Sequence, residues 1–157
     1  RFTIGVAFNP NFRSMRGQTV KLQQKVDAGA MFALTQLVYD TDRIAEIEDA
    51  TAPCGIPVLP GVMPIVSERN ALFLRNEVPG VTVPDAVLAR VARHPKGEAA
   101  RQLGLDIARE LLTRALDSGA PGAYIVAPFN RADLAEELVK FVRETFRARS
   151  PISRPTP

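Results

Sequence analysis

Four small groups of polar residues could do chemistry in this chain. They are Asn9 with Asn11, Gln36 with Asp40, Ser67 with Asn70, and Asn130 with Arg131. Each group follows an apolar run of strand character. A carboxamide donates and accepts hydrogen bonds at once, and a guanidinium pairs with carboxylates or polar edges. That is ligand recognition, and no residue in these groups is a convincing general acid. Asp40 reads as a helix N-cap. Gln36 is the most informative of them. Residues 31–38, MFALTQLV, are apolar except for Thr35 and Gln36. Such a run suits a parallel strand covered on both faces. An unpaired amide buried there costs about 1–3 kcal/mol, so something polar should meet it.

Other chemistries are poorly supplied. The chain has one histidine, His94, in a loop before Pro95, and one cysteine, Cys54. A zinc site is therefore not expected. No internal disulfide can form, which fits a reducing, cytoplasmic setting, and Cys54 reads as a small buried residue. The 20 Lys and Arg against 17 Asp and Glu are dispersed, without the basic, aromatic-interleaved stretch of a nucleic-acid binder. No apolar run is long enough to span a membrane, and no signal peptide is visible. At 157 residues, 46% hydrophobic and 24% charged, the chain reads as one globular domain. It opens at Arg1, already inside a strand pattern, which suggests the later portion of a longer protein. Residues 150–157, SPISRPTP, read as a disordered Pro-rich tail.

The elements that must position these groups alternate. Strands are expected over residues 2–8, 32–39, 57–63 and 123–127. Helices are expected over 18–28, 43–52, 67–75, 86–93, 98–118 and 132–147. Residues 12–17 read as a loop and 76–84 as a turn-rich connection. Gly29 stands at a helix C-cap, Asp40 and Ser67 at N-caps, and Asp85 as the cap of a short helix. In the first helix Val20, Leu22 and Val26 should face inward. In the longest, Ala100, Leu103, Ile107, Leu111 and Ala115 form one stripe. Gly5 and Ala7 are small enough to admit a flat ligand. Pro60 and Gly61 suggest a bulge or a close backbone approach. This α/β order implies a parallel sheet with right-handed crossovers. In such sheets the ligand sits at the carboxyl ends of the strands, where the polar groups collect. Four strand–helix units make half of an eight-unit barrel or a small open sheet. The opening inside a strand and the irregular third strand favour the half barrel.

Several motifs then match a family. AFNP (7–10), KVDAGAMFALTQLVYD (25–40), PVLPGVMPI (57–65) and PFNR (128–131) together resemble the flavin-dependent methylenetetrahydrofolate reductases. SERNALFLRNEVPGVTVP (67–84) resembles the reductase half of bifunctional proteins that join homocysteine S-methyltransferase to this reductase. The resemblance covers about residues 3–140 and rests on five motifs in the same order.

What the resemblance implies is specific. The fold would be a TIM-type (β/α)8 barrel, of which this chain supplies the C-terminal half, units five to eight, over residues 1–149. The activity would be reduction of 5,10-methylenetetrahydrofolate to 5-methyltetrahydrofolate, with FAD as cofactor and NADH or NADPH as hydride source. The catalytic acid would lie upstream of Arg1, so the isolated fragment would be inactive. Ala7, Asn9, Lys21, Gln24 and Lys25 fall at FAD-contacting positions. Asn9 replaces a residue that is often tyrosine, and Lys21 and Gln24 depart from the expected types. Gln36, Asn70 and Arg131 fall at folate-contacting positions, Asn70 as a shorter stand-in for glutamine. Two other readings stay open: a half-barrel without catalysis of its own, and a pterin-binding barrel methyltransferase without FAD. Homo-oligomer formation is undecided.

Overall fold

The computed structural model describes residues 2–149; the tail expected over 150–157 lies outside them. Strands β1 (Gly5–Phe8), β2 (Phe32–Leu37), β3 (Val58–Val62) and β4 (Tyr124–Ile125) form one sheet in the order β1-β2-β3-β4. Every neighbouring pair is parallel. A doubly wound sheet would reverse its order part-way; here each strand lies beside the next. With right-handed crossovers this puts the connecting helices on one face, as in a segment of a barrel. Helices α1 (Met15–Asp27), α2 (Thr41–Thr51), α5 (Glu98–Asp117) and α6 (Ala132–Arg149) form that outer layer, α1 against α2, α2 against α5, and α5 against α6. Two further helices, α3 (Glu68–Glu77) and α4 (Asp85–Ala92), pack on each other between β3 and α5.

Local signals explain most boundaries. The Ser14 side chain accepts from Gly17 N, so α1 begins within the expected loop. Gly29 adopts φ +106 and donates its N–H to Val26 O, closing α1 as the sequence indicates. Asp40 accepts from the N–H groups of Asp42 and Arg43, and Ser67 from that of Asn70. Asp85 is not a cap: Pro84 precedes α4 without a side-chain bond, and Asp85 pairs with Arg75. Tyr39 is buried core, its hydroxyl donating to Met63 O at 2.9 Å. Burial pushes that hydroxyl's pKa far up. Cys54 is buried as expected, and burial, with Asp27 nearby, raises its thiol pKa. In α1, Leu22 is buried whereas Val20 is exposed, because α1 covers the sheet with a narrow stripe. In α5 the stripe is buried at Ala100, Ile107, Leu111 and Ala115 and widened by Gly104 and Leu105, while Leu103 is only partly buried.

The sheet is covered on one face only. Along β2, Ala33, Thr35 and Leu37 are buried under the helices, while Phe32, Leu34 and Gln36 are half-buried on the other face. The two-faced burial expected from the apolar run is therefore corrected. The open face is apolar, but among the described residues no element covers it.

The irregularity expected at Pro60 and Gly61 falls mainly in β2. Leu34 pairs with Leu59 but Leu37 with Gly61, so three steps of β2 match two of β3. Gly61 makes the close approach: a Cβ there would stand 2.8 Å from Thr35 O. The Thr35 hydroxyl accepts from Gly61 N at 2.8 Å and donates to Gln36 O at 2.7 Å. Thr35→Val would leave the buried Gly61 N–H without a partner at constant shape. A loss of about 1–3 kcal/mol is expected, read from the urea unfolding midpoint; an unchanged midpoint would remove this account of the bulge.

Candidate functional site

The open face of the sheet carries a cleft of about 740 Å³ at the carboxyl ends of β1 and β2. Ala7 and Asn9 of β1 and its following turn, Phe32, Leu34 and Gln36 of β2, Lys25 of α1 and Tyr124 of β4 line it. Ala7 is exposed at its floor. Gly5 is also exposed, but its missing Cβ is not free space. A methyl there would meet the Phe32 ring at 2.3 Å, so Phe32 uses that room. Of the two small residues, Ala7 leaves the floor open, whereas Phe32 takes the space at Gly5.

A charged border follows from the α1 period. Lys25 reaches back over the strand end, and Nζ donates to Ala7 O at 2.6 Å. Gln18, two turns earlier, also lines the cleft. Lys21 lies on that side of the helix but is exposed and outside the lining, as is Gln24. Of the three α1 positions singled out from the sequence, the structure brings one into the cleft.

Gln36 is the polar group on the β2 side. Its Oε1 accepts from Leu37 N at 3.0 Å, and its Nε2 donates to Pro79 O at 3.3 Å. The amide is therefore half-buried and locally partnered, rather than buried and orphaned. One N–H and one lone pair remain free by count. The partner segment, residues 78–84, is more than a turn-rich connection. Val81 and Val83 are buried, and Thr82 bridges in parallel to Val38. It lies across the ends of β1 and β2. Asn11 holds it there, with Nδ2 donating to Leu37 O at 2.9 Å and to Gly80 O at 2.8 Å. Asn9 Oδ1 accepts from Asn11 N at 3.0 Å, which is a turn-forming bond.

A second cavity, about 350 Å³, lies beyond β3, lined by Ser67, Arg69, Asn70, Phe73 and Phe129. Asn70 is only 4% exposed, and its Oδ1 accepts from Val66 N at 3.2 Å. Half of its amide is thus committed to holding the start of α3. Phe129 has φ +46, the left-handed region that a non-glycine residue rarely occupies, and its side chain is 70% exposed. Phe73 is likewise exposed. Neither phenylalanine carries a strong signal in the sequence: an exposed aromatic reads as core until its neighbours are known.

Arg131 lines neither cavity. Its Nε and Nη2 donate to the two Asp133 carboxylate oxygens at 2.9 and 2.7 Å. This pairing pushes the Arg131 pKa up and the Asp133 pKa down. Arg101 adds a second contact to Asp133 at 3.5 Å. No Asp or Glu lines either cavity. Among the described residues no group of three or more His, Cys, Asp or Glu could hold a metal ion. No helix among them is long and apolar enough to cross a membrane.

The family model for methylenetetrahydrofolate reductase matches residues 1–143. The chain belongs to the methylenetetrahydrofolate reductase family. It is 33% identical over 128 residues to methylenetetrahydrofolate reductase 2 of Saccharomyces cerevisiae, covering 75% of this chain and 21% of that protein. It is 33% identical over 104 residues to methylenetetrahydrofolate reductase (NADH) 1 of Zea mays, covering 62% and 17%. It is 28% identical over 149 residues to a probable methylenetetrahydrofolate reductase (NADPH) of Caenorhabditis elegans, covering 88% and 22%. The chain thus spans about a fifth of the length of these relatives. The match takes in both cavities, from Ala7 through Phe129. In this reductase family member, sequence reasoning located Ala7, Asn9, Lys25 and Gln36 at the main cleft and Asn70 at the second cavity. It missed Gln18, Tyr124, Phe73 and Phe129. It read Asn11 only as a strand-end polar residue.

Proposed function

We propose that this chain is part of a reductase that converts 5,10-methylenetetrahydrofolate to 5-methyltetrahydrofolate with FAD and NADH or NADPH. It would form the C-terminal half of the barrel, residues 1–149, with the other half and the proton donor supplied by sequence outside it. The observation that carries this is the cleft itself. It is a largely apolar, open sheet face with Ala7 exposed at its floor, Lys25 at its border and the partnered carboxamides of Asn9 and Gln36 at its rim.

The residues fit a flavin. A planar ring system needs flat apolar floor, and Ala7, Leu34 and Tyr124 offer it. Lys25, with Lys21 one turn earlier, places positive charge beside the cleft, where a pyrophosphate would be held. Asn9 would meet the flavin by hydrogen bonding in place of the aromatic contact. Lys21 and Gln24 would meet only the outer part of the cofactor, since both lie outside the cleft lining. The chemistry a bound flavin supplies is hydride storage between the nicotinamide and the folate.

The chain's own residues do the positioning. Gln36 presents its free N–H and lone pair, a match for the paired donor and acceptor of a pterin edge. The second cavity extends the site, with Asn70 at its wall and Phe73 and Phe129 as apolar faces for the remainder of the folate. Arg131 pairs with Asp133 at present; to meet the substrate's carboxylate it must exchange one carboxylate for another. An upstream methyltransferase domain, as in the bifunctional proteins, belongs to this proposal too.

The test uses the full-length protein. Purified protein should show flavin absorbance, and Ala7→Leu should weaken flavin retention about tenfold, about 1.4 kcal/mol, because the added side chain fills the floor. Flavin-free protein that still binds folate would replace this reading with that of a pterin-binding methyltransferase. Protein that binds neither would favour a non-catalytic half-barrel.

A further inference from the structure

Three polar side chains converge on one turn. Asn11 spends both of its amide hydrogens on carbonyls that lie far apart in sequence, Leu37 O at the end of β2 and Gly80 O in the 78–84 segment. Gln36 donates to the neighbouring Pro79 O. Asn9 packs beneath: a Cβ on Gly80 would fall 2.2 Å from its Nδ2, and Gly80 has φ +77. The turn at Pro79 and Gly80 is therefore pinned from the β1 side and from the β2 side at once.

The pinning has a consequence for Gln36. A carboxamide can sit either way round with little change in shape, and only its partners decide which. Here Pro79 O demands the NH2 group on one side, and Leu37 N–H demands the oxygen on the other. Reversal would set oxygen against oxygen and NH2 against N–H. Leu37 N belongs to the strand and cannot move away. Pro79 O belongs to a loop and is held by Asn11 through the adjoining residue. Without that hold, one of the two constraints on the amide is lost.

We propose that Asn11 is a positioning residue for the folate site: by fixing the turn at Pro79 and Gly80 it sets the orientation in which Gln36 offers its donor and acceptor to the ligand. This rests on the proposed contact between Gln36 and the folate.

The test is a double-mutant cycle in the full-length holoenzyme, read in its two half-reactions. Asn11→Ala and the near-isosteric Asn11→Asp, which turns an acceptor toward two carbonyls, should each weaken apparent affinity for methylenetetrahydrofolate about tenfold. Flavin reduction by the nicotinamide should stay within about twofold. Because Asn11 acts through Gln36, adding Asn11→Ala to Gln36→Ala should cost less than about twofold more. A merely structural role would weaken both half-reactions, or would add its full cost to Gln36→Ala; either result overturns the proposal. So does unchanged folate affinity in Asn11→Ala when Gln36→Ala is impaired, and the functional reading then still stands. A Gln36→Ala enzyme with unimpaired folate chemistry removes that reading and this proposal together. Should the Asn11 variants fail to fold, Pro79→Gly loosens the turn from the loop side and is held to the same outcomes.

Discussion

On the proposed function, Gln36→Ala in the full-length protein is expected to slow the folate half-reaction about 5- to 150-fold and to leave flavin reduction by the nicotinamide within about twofold. The size follows from two lost hydrogen bonds of about 0.5–1.5 kcal/mol each, converted at about 1.4 kcal/mol per factor of ten. The selectivity follows from placement. Gln36 stands on the open face of β2, and its free N–H and lone pair suit a pterin edge, whereas the nicotinamide has no comparable need of it on the proposed reading. Stability should hardly change: Gln36 is half-buried, so water can replace the lost amide at Leu37 N and Pro79 O. Anaerobic stopped-flow measurement of each half-reaction decides the matter, and equal losses in both would refute the assignment of Gln36 to folate.

Gly104→Ala should destabilise the protein by about 3 kcal/mol, with a Tm fall of about 6–12 °C. Helix propensity alone predicts the opposite sign, since alanine is favoured over glycine in a helix interior by about 1 kcal/mol. Gly104 is buried on the inner face of α5, and its missing Cβ decides the outcome. A methyl there would lie 1.7 Å from Ile65 O and 2.7 Å from Ile65 C. Both atoms are backbone and cannot swing aside. Either α5 lifts off the segment after β3, uncovering Leu105 and Ile107, or that segment shifts. The second course reaches the candidate site, because Val66 N donates to Asn70 Oδ1 and Ser67 begins α3. Calorimetry measures the effect; an unchanged or raised Tm would mean that α5 does not seat on Ile65.

Legibility in the sequence tracked the range of the interaction. Caps at Asp40 and Ser67 and the glycine at position 29 were readable because each acts within four residues. The ends of β1 and β4 were not. Residues 2–8 have the right pattern, yet only Gly5–Phe8 forms a strand, because strand assignment needs a partner and β1 is an edge. Val20 looked like core and is exposed, because amphipathic spacing does not say how wide a stripe the sheet will cover. The pairing of Arg131 with Asp133 was not readable, because geometry at the start of α6 sets it.

By itself the sequence determined the alternation of strands and helices, the polar positions at the strand ends and, through five ordered motifs, the family. These are properties of local period, capping and short motifs, which chain neighbours decide. The tertiary structure alone decided that one face of the sheet lies open and that Gln36, alternating along β2 with Phe32 and Leu34, stands on it. It also decided that the turn at Pro79 and Gly80 meets Gln36 and that Asn11 ties that turn down. Those facts depend on hydrogen bonds across 26, 43 and 69 residues of chain. Closing such long loops has an entropic cost that no local pattern reveals, and only the assembled core offsets it.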